Sequence, residues 1–93
     1  MNNKIYTVEI FRGAYDKSVS PYAATSSTTI YKTFSAAESF IKDVLQAREK
    51  RGCIISCYFD LINEEERRKR LYVIKTSTGY ETLFITIDWG ITL

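Results

Sequence analysis

Histidine is absent from this 93-residue sequence, and proline, tryptophan and methionine occur once each. Without an imidazole the chain lacks the commonest general acid–base group and the commonest metal ligand. Cysteine occurs only as Cys53 and Cys57. On a strand their Cα atoms would stand about 13 Å apart, too far to bridge, and two thiols alone do not make a zinc site. There is no Gly-rich phosphate loop and no nucleophile beside a recognisable base, and Asp16, Asp60 and Asp88 are isolated carboxylates. Neither enzymatic activity nor a metal or other cofactor is expected.

An excess of charge of one sign is missing too. Thirteen Lys and Arg against eleven Asp and Glu leave a net charge of +2, too weak a field for a protein that wraps nucleic acid or imitates it. No apolar run approaches the ~18 residues that span a bilayer, so no membrane contact is expected. Met1-Asn2-Asn3-Lys4 passes straight into a strand pattern rather than the apolar centre of a signal peptide. That start predicts an intracellular, cytoplasmic protein.

What is present is a 45% hydrophobic chain rich in aromatic residues, seven Tyr and five Phe among them. Residues 1–93 suffice for one domain with a modest core. The organising stretch runs from Thr28 to Phe59. Ser35-Ala36-Ala37-Glu38 has the form of a capping box, and Ala37, Phe40, Ile41, Val44 and Leu45 then recur at helical spacing. Phe40, Val44 and Leu45 are predicted core residues. Gly52 suits a left-handed cap, and Arg48, Lys50 and Arg51 crowd the last turn, which places the helix end near Arg51.

Around this helix the sequence alternates. Ile5 to Phe11 predicts a first strand with Tyr6, Val8 and Ile10 facing inward. Arg12 to Ser27, rich in Gly, Ala, Ser and Asp and holding Pro21, predicts a loop of about 16 residues, compatible with a short helical turn after the proline. Thr28 to Phe34 predicts the second strand and Cys53 to Ile62 the third, with Cys53, Ile55, Cys57, Phe59 and Leu61 inward. Leu71 to Lys75 and Thr82 to Trp89 complete a hairpin through Thr76–Gly79, with Leu83, Ile85, Ile87 and Trp89 facing the helix. The predicted fold is α+β, a single domain in ββαβββ order, with a mostly antiparallel sheet packed on one helix.

Two surfaces are candidates for function. The run Asn63-Glu64-Glu65-Glu66-Arg67-Arg68-Lys69-Arg70 ends in four cations that could meet phosphate. As a helix it pairs Glu64 with Arg68, Glu65 with Lys69 and Glu66 with Arg70; as a hairpin turning at Glu66-Arg67 it sets Glu65 against Arg68 and Glu64 against Lys69. Either form largely neutralises itself. The second surface is the sheet face away from the helix, which one helix leaves uncovered and which, depending on register, collects Tyr31, Ile54, Tyr58, Tyr72, Ile74 and Phe84 among threonines.

A buried aromatic anchor contributes more to docking than an exposed, self-paired cation. The candidate partner-binding residues are therefore Tyr31, Tyr58 and Phe84 on strands, with Tyr15 and Tyr22 on the long loop. A protein partner is expected, and the uncovered face also suits a homodimer; nucleic acid contact through Arg67, Arg68, Lys69 and Arg70 is the alternative. In size, Tyr, Ile and Thr richness and lack of a catalytic set, the chain resembles the small single-domain proteins of viruses and mobile elements, anti-CRISPR inhibitors among them. The resemblance implies an inhibitor or regulator of a larger complex.

Overall fold

The computed structural model describes residues 3–16 and 20–92, with the backbone alone at 3, 16, 20–23 and 92. Strand β1 (Asn3–Asp16) is followed by β2 (Ser20–Tyr31), helix α1 (Phe34–Lys50), β3 (Ile54–Ile62), β4 (Arg68–Lys75) and β5 (Gly79–Thr92). The strands form one sheet in the order β2-β1-β5-β4-β3, antiparallel at every junction. The order ββαβββ and the α+β class are as the sequence predicts.

The two longest strands, β1 and β5, lie side by side near the middle of the sheet, and their alternation makes the core. Tyr6, Val8 and Ile10 of β1 and Leu83, Ile85 and Ile87 of β5 are buried under α1 together with Tyr72 and Ile74 of β4. From the helix, Ala37 and Ile41 are fully buried, and Phe40, Val44 and Leu45 pack at the margins of the same cluster. Only one sheet face is covered in this way.

Three local expectations are corrected. Arg12 to Ser27 is not a loop: β1 continues to Asp16 and β2 begins at Ser20, so Gly13 pairs with Ala24 and Ala14 with Ala23. No helical turn follows Pro21. The composition is poor for a strand, but β1 is also held on its other side, with Arg12 opposite Leu83 and Tyr15 opposite Tyr80; this second ladder overrides local propensity. Pro21 falls on β2, an edge strand, where a missing amide costs least.

The helix also starts earlier than expected. Thr33 is extended (φ −134°, ψ 153°), and its hydroxyl accepts the Ala36 amide at 3.1 Å. Ser35 lies inside the first turn instead of capping it. Glu38, expected to reach back to Ser35, is taken by Arg68 and Arg70 at 2.8 Å each. At the other end Gly52 has φ +86° as expected. There the Cys53 amide donates to the Arg48 carbonyl and the Gly52 amide to the Glu49 carbonyl, the paired bonds of a Schellman motif.

The third correction concerns β3. Its register against β4 slips between Cys57 and Phe59, which leaves Tyr58 as an extra, bulged residue. A one-residue insertion sends every later side chain to the other face. Cys57 stands opposite Tyr72 on the helix side, but Phe59 stands opposite Leu71 on the open side. Phe59 and Leu61 are thus outward, and Asp60 turns towards the helix.

Candidate functional site

The open face is built of cross-strand rows, each taking one residue from each strand. Phe11, Phe84, Leu71 and Phe59 stand directly opposite one another across β1, β5, β4 and β3. Phe84 sits in the middle, with ring centroids 6.2 Å from Phe11 and 6.0 Å from Phe59. The next row along the strands is Glu9, Thr86, Lys69 and Leu61; on the other side come Gly13, Thr82, Val73 and Ser56. An aromatic ridge thus runs across the sheet between a charged row and a row of small residues. The groove over the charged row, lined by Thr7, Glu9, Leu61, Lys69, Thr86 and Asp88 among others, holds about 470 Å³.

The ridge runs out onto β3, one of the two sheet edges. Ile54 is 64% exposed, Tyr58 69%, Leu61 62% and Ile62 58%. Asp60 is the only charged residue of this strand. A strand edge offers unpaired amides and carbonyls, and here it offers apolar side chains as well.

The predicted anchors do not gather as expected. Phe84 is the centre of the ridge and Tyr58 projects from the β3 bulge, two strands away. Tyr31 is corrected to the helix side, where its ring packs on Phe40 with centroids 5.6 Å apart; burial, then the Asp43 charge, raises its hydroxyl pKa. Tyr72 and Ile74, also placed on the open face by the sequence reading, are buried in the core. Tyr15 belongs to a strand, not a loop, and stacks on Tyr80 with centroids 5.6 Å apart. Tyr22 is likewise on a strand, β2, and its side chain lies outside the described residues. Phe11, Phe59 and Leu71 escaped the sequence reading. Phe11 was legible from its parity with Thr7 and Glu9; Phe59 was hidden by the bulge.

The charged tip is a hairpin rather than a helix, and it turns on Glu64–Glu66. The Asn63 carbonyl accepts the Glu66 amide and the Asn63 amide donates to the Arg67 carbonyl, while the Asn63 side chain accepts the Glu65 and Arg67 amides at 2.9 and 3.1 Å. This side-chain turn fixes the register at Ile62 opposite Arg68, so neither predicted cross-strand pair forms. Glu66 takes a left-handed φ of 61° and is held there by the Tyr6 hydroxyl at 3.1 Å and Lys4 at 3.8 Å.

The four cations are divided between faces and mostly engaged. Arg67 meets Asp88 at 2.5 Å and also Glu65, and lies 4.3 Å from the Trp89 ring centre, with Lys4 at 4.4 Å from the same ring. Arg68 bridges Glu38 and Asp60, and Arg70, 5% exposed, joins the same Glu38. Only Lys69 of the four has no carboxylate within ion-pairing distance among the described residues. The hydrogen bond from Arg68 holds the Asp60 carboxyl below its ordinary pKa, and Arg67 does the same for Asp88. A separate cluster joins Glu81 to Arg12 and Arg48 at the far end of the helix.

Among the described residues no three Cys, Asp or Glu side chains come together as a metal-binding group. Among the described residues no helix is long and apolar enough to cross a membrane. No family model, no curated protein and no solved structure matches this chain.

Proposed function

We propose that this chain is a non-catalytic protein-binding module that inhibits or regulates a larger complex by covering one of its surfaces. The observation that carries this reading is β3: an edge strand with four apolar side chains more than half exposed and a single charge. Soluble folds blunt such edges with Lys, Pro, very short strands, bulges or inward-pointing charges. β3 has no Lys or Pro and runs nine residues, and its one bulge and its inward Asp60 leave the apolar side chains exposed. Its bulge presents Tyr58 as a free aromatic anchor, the kind of group that dominates binding energy once buried. The two free cysteines, Cys57 exposed, suit a reducing compartment and hence a cytoplasmic partner.

The rival reading, phosphate contact by Arg67, Arg68, Lys69 and Arg70, has less support. Arg68 and Arg70 point to the helix side and share Glu38, whereas Lys69 faces the opposite way. Such a set does not form one basic patch. The test is capture from a nuclease-treated lysate of the source cells, with wild-type chain, a Tyr58→Ala, Ile62→Ser variant, and an Arg67→Ala, Lys69→Ala variant as bait. Loss of the captured protein with the β3 variant alone, at low and moderate salt, is the expected result. Loss with the tip variant alone, or binding to duplex DNA with a steep salt dependence, favours the rival.

A further inference from the structure

The open face adjoins the β3 edge and takes in Phe59 and Leu61, but the free backbone edge and Tyr58 lie outside its rows, and the pattern of rows names an occupant for the face. We propose that the open face packs against a second copy of this chain, about a two-fold axis running along β5.

Glu9 on β1 and Lys69 on β4 flank Thr86 of β5, one on each side. Neither has an ion-pair partner among the described residues. Two strand spacings, about 9.6 Å between backbones, separate them. A two-fold along β5 exchanges the β1 and β4 sides, so Glu9 of each copy faces Lys69 of the other. One symmetry operation thus completes both charges twice over, as an isologous interface requires.

The ridge obeys the same operation. Read from β2 to β3 it runs Ser26, Phe11, Phe84, Leu71, Phe59. Reversed on itself it sets Phe84 against Phe84, Phe11 against Leu71, and the large Phe59 against the small Ser26. A two-fold across the strands would instead lay Glu9 and Lys69 over Gly13, Thr82 and Val73 and leave both charges unpaired. The chosen axis keeps the strands of the two sheets nearly aligned, the usual arrangement of face-to-face sheets about 10 Å apart. Four strand spacings by eight residues give roughly 500 Å² in projection, before side-chain relief, against the ~800 Å² per partner of a standard interface. The free edge of β3 and Tyr58 remain open for another protein.

Sedimentation equilibrium of the full chain decides this. The expected mass is twice the 10.8 kDa of one chain at concentrations of about 100 µM, because a patch at the low end of interface sizes belongs with the weaker associations. Phe84→Arg should leave a monomer. Glu9→Lys and Lys69→Glu should each weaken the dimer at least about tenfold, and the two together should restore it, because the swap recreates both pairs. All three positions are at least partly exposed, and circular dichroism of each variant checks the fold. A wild-type chain that stays monomeric overturns the proposal. So does a dimer indifferent to Phe84→Arg, or a double charge swap no better than the single ones. None of these variants touches Tyr58 or Ile62, which stand outside the rows of the open face, so failure here is distinct from failure of partner capture through β3.

Discussion

The two edges of the sheet are built on opposite plans. β2 carries Ser20, Pro21 and Tyr22 and then a run of Ala, Ser and Thr before Ile30 and Tyr31, while β3 reads Ile-Ile-Ser-Cys-Tyr-Phe-Asp-Leu-Ile. Their attachments differ as well. β2 is tied to the helix by an aromatic contact, Tyr31 on Phe40, and the β3 side by a charge cluster in which Glu38 holds Arg68 and Arg70 and Arg68 holds Asp60. An edge of small polar residues with a proline resists further pairing. The apolar edge is the one left ready for a partner, and it is fastened from beneath by ion pairs; apart from Phe59, which packs on Phe84, its outward side chains are free of structural duty.

The largest test of this division is Glu38→Ala. It removes the carboxylate under Arg70, which is 5% exposed and whose Nε already lacks a partner. Stranding a buried guanidinium costs about 3 kcal/mol, which urea unfolding should register as a lower midpoint with an unchanged slope. Glu38→Gln, which keeps a hydrogen-bond acceptor, should cost less. If Glu38→Ala unfolds at the wild-type midpoint, the charge cluster does not fasten the β3 side.

On the β2 side the matching variant is Phe40→Ala. Phe40 is only partly buried, so its loss should cost about 2 kcal/mol, below the range for a fully buried Phe. High salt separates the two attachments: 1 M NaCl should reduce the part of the Glu38→Ala penalty that comes from the more exposed Arg68 pair, leave the buried Arg70 part largely intact, and leave the penalty of Phe40→Ala unchanged. Equal salt sensitivity of the two variants would erase the contrast.

Acid offers a third and smaller contrast. Asp60 and Asp88 have carboxyls held below their unfolded values by Arg68 and Arg67, and Glu81 is lowered because its bonds from Arg48 and Arg12 outweigh the opposing effect of burial. A lowered carboxyl pKa contributes stability above the unfolded value and loses it as pH falls through the folded one. Stability should therefore decline from about pH 5 downward. Asp60 is about a third exposed, so its share is about 1 kcal/mol at most. Hydrogen exchange, corrected for intrinsic rates, should show β3 amides losing protection before β2 amides between pH 6 and 3. The reverse order would mean that the acid-sensitive group is Glu81 at the other end of the helix.

These attachments explain which parts of the molecule could be read in advance. The helix stripe, its end at Gly52 and the alternation of β5 follow from periods and caps that the local sequence carries. The extension of β1 and β2 through Gly13, Ala14, Ala23 and Ala24 does not, because it depends on the ladder that β5 supplies from the other side. The capping box placed the helix start at Ser35, but Thr33, a second hydroxyl two residues earlier, takes the cap. Tertiary contacts settle it: Phe34 meets Tyr6 at 6.1 Å between ring centres, and Glu38 is drawn away by two arginines. The bulge at Tyr58 left no local signal. It alone moved Phe59 and Leu61 to the open face, and with them much of the candidate surface.

The smallest expected effect is also the sharpest for function. Tyr58→Ala removes a side chain that is 69% exposed, at a position with no β4 partner. Little packing is lost, no buried polar group is created, and the backbone on either side is held by β4, so stability should change by only about 0.5 kcal/mol. Partner capture should nevertheless fall by tenfold or more, since a central aromatic anchor commonly contributes about 2 kcal/mol or more to binding. A side chain that binds without supporting the fold produces that combination; one that props the bulge open produces the opposite. A loss of more than about 2 kcal/mol in urea would show that Tyr58 holds the kink in β3, and the apolar edge would then owe its shape, rather than its use, to this residue.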